Sequence, residues 1–283
     1  MVLTHLSHMA NTLTHSTATG AFWPLLLAQL AFSSATVANT TNAPLTNDVI
    51  RPSCLSGLLT EHAIIERVTD GDTVVLADQR RVRLIGINAA ELHAQSPQLK
   101  NAASKATDKL RAWLPHAEPV KLFLGDQHTD RHGRLLAHVI RASDGLAVAQ
   151  MLVKSGLAVQ SAVAPTTRCA LSFVKLENQA IAANLGLWTV RDLMSVSATK
   201  MKPDDHGFKL ISGTVTNVKS RQRFTNIILD NQLQIKVRPT LARTLSLQTL
   251  VGQSVEVRGW LSHKKNGPFL WLQHEANLSI LEH

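Results

Sequence analysis

Between positions 63 and 87 the chain alternates short Val- and Ile-rich runs with turn-forming residues. Runs at 63–68, 73–77 and 82–87 have the length and β-branched content of strands, and Asp70-Gly71-Asp72 and Asp78-Gln79-Arg80 supply the turns between them. The period then changes. Over 97–114 apolar residues recur at helical spacing (Leu99, Ala102, Ala103, Ala106, Leu110, Trp113), and Pro115 is the stop. Strands return at 120–124 and 135–140 around a polar loop at 125–134. A helix at 146–155 closes at Gly156, and another at 168–184 has Leu171, Val174, Ile181 and Leu185 on one side and Gly186 at its end. The order β-β-β-α-β-β-α-α predicts a five-stranded barrel capped by helices over residues 61–193.

Residues 194–207 are polar and read as a linker. After it, strands at 208–218, 226–230 and 233–237, a short helix at 240–250, and strands at 255–261, 269–273 and 278–281 give the plan of a second, smaller OB-like barrel over 208–283. The whole chain is thus mainly β with helices. Strand parity sharpens the second domain. With Val255 and Val257 facing the core, Trp260 falls on the face of Glu256 and Arg258, and with Leu270 and Leu272 inside, Phe269 and Trp271 point outward. Exposed rings beside cations form a stacking platform for unpaired bases. A bulge at Gly259 would instead turn these rings into the core.

Composition closes some chemistries. Two cysteines cannot make a four-thiolate metal site, and a chain without tyrosine has no tyrosine nucleophile. The 29 Lys and Arg against 20 Asp and Glu give +9, which makes a polyanion the default partner. No Lys or Arg occurs in residues 1–50, whereas residues 51–193 carry 17 bases and 13 acids and residues 194–283 carry 12 and 6. The apolar run at 22–32 is too short, and too interrupted by Pro24 and Gln29, to span a bilayer. Residues 1–38 are therefore expected to be a signal peptide and 39–60 an extension, giving export to periplasm or medium and no integral membrane association. In an oxidising compartment Cys54 and Cys169 are the available pair for one disulfide; in the cytosol they would be two buried thiols. No protein partner can be inferred.

Three turns hold the residues with chemistry: Asp70-Gly71-Asp72-Thr73, then Arg83 followed by Asn88-Ala89-Ala90-Glu91, then Asp130-Arg131-His132-Gly133-Arg134. Two guanidinium forks, a hard divalent cation and a carboxylate able to activate water are what a phosphodiester transition state requires. On these residues the chain from about 63 to 188 resembles the staphylococcal nuclease (thermonuclease) family, whose fold is an OB barrel with helices. The resemblance implies calcium-dependent hydrolysis of DNA or RNA. It implies Asp72, Asn88 and the Ala89 carbonyl at the calcium, Arg83 and Arg134 on the phosphate, Glu91 as the catalytic glutamate, and Gly186-Leu187-Trp188 as the end of the last helix. Asn88 stands where the family has a second calcium carboxylate, so calcium affinity should fall.

The expected function is a Ca2+-dependent endonuclease-type phosphodiesterase on DNA and/or RNA. The second domain would hold substrate through Lys219, Arg221 and Arg223 in one loop, Lys264 and Lys265 in another, and the rings of Trp260 and Trp271. The alternatives are a nucleic-acid-binding protein of the same fold that has lost catalysis through Asn88, and a secreted OB protein for another polyanion.

Overall fold

A computed structural model describes residues 53–281 except 266. The expected signal peptide at 1–38, and the part of the extension before 53, lie outside the described residues. In chain order the elements are β1 (Thr60–Asp70), β2 (Thr73–Leu76), β3 (Arg81–Leu84), β4 (Ile87–Ala89), α1 (Pro97–Trp113), β5 (Pro119–Thr129), β6 (Leu135–Arg141), α2 (Val148–Lys154), β7 (Ala158–Gln160), α3 (Ala170–Ala182) and β8 (Ser195–Ser197). They continue with β9 (Gly207–Ser220), β10 (Thr225–Leu229), β11 (Leu233–Val237), α4 (Pro239–Thr244), β12 (Ser254–Lys264), β13 (Gly267–Leu272) and β14 (Leu278–Ile280).

The first five-stranded barrel closes in the order β1-β2-β3-β6-β5. Ile65, Val74, Leu76, Val82, Leu84 and Leu122 fill it. The expected single strand over 82–87 is broken. Gly86 takes φ +85°, and a Cβ there would lie 2.6 Å from the Phe173 ring, so the chain turns and resumes as β4. β4 pairs with β7, which carries no turn signal and was not predicted. The expected loop at 125–134 is also shorter, because β5 runs on to Thr129 after a register shift beyond Leu124.

Helix α1 starts where Ser96 accepts the Leu99 N–H at 3.4 Å and Pro97 occupies the first turn. Its Ala102, Ala103, Ala106 and Leu110 are buried, as their spacing predicts. In α3 the expected stripe is wrong. Leu171 and Leu185 are exposed, and the buried face is Ala170, Phe173, Leu176, Glu177 and Ala180. A glutamate in the stripe disguises it as polar. Cys169, just before α3, is disulfide-bonded to Cys54, with Cα atoms 5.3 Å apart.

The second barrel closes through β12-β13-β11-β10-β9 and back to β12, with β14 and β8 as added strands. Ile211, Val215, Ile227, Ile235, Val255 and Leu270 are in its core. The β9–β12 register runs unbroken from Ser254 opposite Thr214 to Leu261 opposite Gly207, so no bulge interrupts Gly259 and Trp260 stays off the core. Residues 194–207 are not a free linker, since β8 pairs parallel with β9 and Ala198 is buried in the second core.

The described residues form one compact unit, and the junction between the barrels explains why. The face of β12 bearing Glu256 and Arg258, expected to be outward, is buried against the first barrel; each residue is 4% exposed. Arg258 Nη1 donates to Glu177 Oε2 at 2.5 Å and to the Gln160 carbonyl at 3.3 Å, and Arg191 Nη2 donates to Glu256 Oε2 at 2.7 Å. Asn277 seals the edge by accepting the Ala162 N–H at 3.0 Å and donating to the Ala162 carbonyl at 2.7 Å. Around this network pack Val159, Ala180, Leu187 and Trp188 from the first barrel's part of the chain and Leu210 from β9.

Candidate active site

The first cluster is built by close approach. Gly71 turns the chain between β1 and β2, and a Cβ on it would come within 2.8 Å of the Cβ atoms of both Ala106 in α1 and Ala89 in β4. Only glycine lets the turn seat there. The Asp70 carboxylate caps the turn by accepting the Asp72 N–H at 3.1 Å. Asp72 is thereby pressed against β4, where its Oδ2 accepts the Ala89 N–H at 2.9 Å.

Arg83, on the outward face of β3, ties the cluster together. Its Nη1 lies 2.6 Å from Asp72 Oδ2 and its Nη2 donates to Asn88 Oδ1 at 3.1 Å. Asn88 Nδ2 donates to the Ala89 carbonyl at 3.3 Å. Asp72, Arg83, Asn88 and Ala89 are thus brought into one contact set. Burial pushes the Asp72 carboxyl up to about 6, against the opposing pull of Arg83, and the Asp70 charge adds to the rise.

Arg134 immediately precedes β6. β3 pairs parallel with β6, Arg83 opposite Leu136, so two residues of parity put Arg134 on the same outer face as Arg83, one strand over. Its Nε donates to Asp130 Oδ2 at 2.8 Å and its backbone N–H to Asp130 Oδ1 at 3.0 Å. Burial pushes the Asp130 carboxyl up, but the N–H groups of Arg134 and His132 and the Arg134 guanidinium outweigh it and hold the group below its ordinary range. The turn fixes this guanidinium before any substrate arrives.

Glu91 lies just beyond β4 and is exposed, and its carboxylate makes no hydrogen bond or ion pair among the described residues. It follows Asn88 on the same short segment, but no contact joins it to Arg83 or Asp72.

The donor set suits a hard cation. Asp72 and Asp70 carboxylates, the Asn88 amide oxygen and the Ala89 carbonyl are all oxygens, the ligand type of calcium. Among the described residues no three His, Cys, Asp or Glu side chains gather at one point, so any cation here depends on neutral oxygens as well.

The basic loops of the second barrel are where the sequence puts them. Lys219, Arg221 and Arg223 lie at the β9–β10 hairpin and Lys264 and Lys265 at the β12–β13 hairpin, all exposed. Trp260 is 45% exposed and meets Phe208 edge to face at 5.0 Å. Trp271 is half-buried, edge to face with Phe224 at 5.9 Å. No ring contact joins the two tryptophans among the described residues. Phe224, Lys236 and Arg238 beside Trp271 were missed, although the alternation of β11 places Lys236 outward between the core residues Ile235 and Val237.

Comparison with known proteins agrees with this architecture. Residues 81–190 match the family described as staphylococcal nuclease homologue. The match takes in Arg83, Asn88, Glu91 and Arg134 and begins at the start of β3, leaving Asp72 outside it. The chain is 33% identical over 105 residues to "Endonuclease YhcR" of Bacillus subtilis (strain 168), covering 34% of this chain and 8% of that protein. It is 31% identical over 100 residues to an "Uncharacterized endonuclease" of Escherichia coli O157:H7, covering 34% of this chain and 59% of that one. The chain thus spans less than two thirds of these relatives. No described helix is long and apolar enough to cross a membrane.

Proposed function

We propose that the chain is a nuclease, hydrolysing phosphodiester bonds of DNA and/or RNA at the Asp72–Arg83–Asn88 cluster. The observation that carries this reading is that Arg83 bridges Asp72 and Asn88 on the same barrel face as Arg134, inside a region similar to endonucleases. In the reaction the exposed Glu91 carboxylate takes a proton from the attacking water. Arg83 and Arg134 donate to the equatorial phosphate oxygens, whose negative charge grows towards the transition state, so their contribution is to turnover more than to ground-state binding. The Asp130 clamp pre-orients Arg134 and lowers the entropy lost on engagement. Asp72, Asn88 and the Ala89 carbonyl would hold calcium, which supplies charge neutralisation at the phosphate.

Export belongs to the same proposal, supported by a disulfide that persists in an oxidising compartment; thiol labelling and fractionation of the producing cells test it. Activity is tested by digesting single-stranded DNA, duplex DNA and RNA with calcium, with magnesium, or with chelator. Cleavage that requires calcium is the expected result. Binding of all three substrates without cleavage under any metal would leave a nucleic-acid-binding protein in which Asn88 has cost the chemistry.

A further inference from the structure

The outer face of the second barrel carries a cluster that its core does not need. Lys236 in β11 stands opposite Asn226 in β10 on one side and Trp271 in β13 on the other. Its Nζ is 3.8 Å from the centre of the Phe269 ring and 5.4 Å from that of Phe224. Lys264 also lies over Phe269, at 5.4 Å, and Arg238 lies over Trp271, at 5.2 Å.

Two features of this face point to an absent ligand. The first is charge. Lys236, Arg238 and Lys264 have no carboxylate partner among the described residues, whereas in the first barrel Arg80, Arg83, Arg134, Arg141 and Arg168 each have one. Two ammonium groups share one ring with no counterion, and burial followed by the Lys264 charge pushes the Lys236 ammonium down from its ordinary range. An anion at this face would relieve both. The second is Asn226, which is 7% exposed and whose Oδ1 is buried without a hydrogen-bond partner. A buried amide oxygen left unpaired typically costs about 1–3 kcal/mol, and the register places this one on the outward face with Lys236, away from the core residue Ile227.

We propose that the outer face of β10, β11 and β13 is a binding site for an unpaired nucleic-acid strand. Bases stack on the half-buried rings of Trp271 and Phe224, phosphates meet Lys236, Arg238 and Lys264 around the buried Phe269 ring, and the Asn226 oxygen accepts from a base edge. Only an unpaired strand offers free base faces to these rings, since those of a helix are already covered. The β9–β10 and β12–β13 hairpins, with Arg221, Arg223 and Lys265, border the face and lengthen the cationic track. The inference rests on the nuclease reading only in taking nucleic acid as the polyanion.

The test is fluorescence anisotropy of a labelled oligothymidylate, of the same length of duplex, and of labelled inorganic polyphosphate, all in chelator so that nothing is cleaved. Trp271→Ala and Phe224→Ala should each weaken oligothymidylate binding by about fivefold or more, with less than about twofold change on duplex or polyphosphate. Lys236→Gln keeps the aromatic packing and should lower the salt dependence on the single strand by about 0.7 in log–log slope, one phosphate's share. Trp260→Ala, whose ring packs on Phe208 and makes no ring contact with this cluster among the described residues, should change little. Unaltered single-strand affinity in folded Phe224→Ala and Lys236→Gln proteins would overturn the proposal, as would equal losses on all three probes. Cleavage assays with calcium on the same variants separate the two readings. A wild-type protein that cleaves nothing but loses single-strand binding in Phe224→Ala refutes the nuclease and keeps the site, and the reverse pattern does the opposite.

Discussion

Arg83 is held from two sides, by a buried carboxylate and by an amide oxygen, and this separates it from Arg134, whose partner Asp130 sits in a surface turn. Removing Arg83 strands Asp72 in the interior without its cation, so Arg83→Ala should lose stability as well as turnover. Arg134→Ala should lower turnover by about 10²- to 10³-fold while its melting temperature stays close to wild type; full activity in that variant would remove Arg134 from the site. Asn88→Asp places a charged oxygen beside Asp72 and should tighten calcium binding by about tenfold, read by calorimetric titration; an unchanged affinity would exclude Asn88 as a ligand. A further residue governs acid stability. His138 in β6 is buried against Phe173, and burial lowers its pKa from 6.5 to about 4. Above 6.5 the ring is neutral in both states. Between 6.5 and 4 the unfolded chain takes up a proton that the folded one refuses, so stability should fall as pH falls through that window, by on the order of 3 kcal/mol. His138→Leu should flatten this part of the stability–pH curve.

At the scale of elements, alternation was legible wherever one face of a strand meets a core and the other meets water. That condition held for β3 and β11, and helical spacing gave α1 almost to the residue. It failed where a polar side chain is buried. Glu177 in α3 and Glu256 and Arg258 in β12 read as solvent-facing because nothing in a single sequence shows that they neutralise one another across two barrels. The site followed the same rule. The local turns around Asp70, Asp130 and Asn88 were legible, but the bridge from Arg83 to Asn88 depends on the break at Gly86, which Phe173 enforces from α3. The buried network makes a prediction of its own. Arg258→Ala leaves Glu177 in the interior without its cation and Glu256 with Arg191 alone, and should cost about 3–5 kcal/mol in denaturant unfolding. Burial already pushes the Glu177 carboxyl up, and loss of the arginine that opposes it pushes it further. The variant's deficit should therefore shrink as pH falls and Glu177 takes up a proton; a deficit independent of pH would show that the pair contributes packing and no charge balance.

On the scale of the whole molecule, the family match stops at Val190 but the physical unit does not. The polar composition of 194–207 suggests that the second barrel could be cut away and leave the first intact. Three layers at the junction argue otherwise. β8 enters the second sheet directly after the 3-10 segment Gly186–Leu193, Leu210 packs into the cluster of Leu187, Trp188 and Val159, and Asn277 satisfies both backbone groups of Ala162. A chain ended after residue 193 would expose that apolar cluster and leave Glu177 without Arg258. Each newly exposed large apolar side chain gives up about 1.5–3 kcal/mol of burial, and marginal stabilities of about 5–15 kcal/mol leave little room for several such losses. The truncated protein should therefore melt well below the full chain, or aggregate, and should lose cleavage along with single-strand binding. A truncation that melts with the full chain and cleaves duplex DNA at its rate would show the junction to be a contact of convenience; activity restored by adding residues 194–283 as a separate chain would instead confirm that the two barrels are one cooperative body.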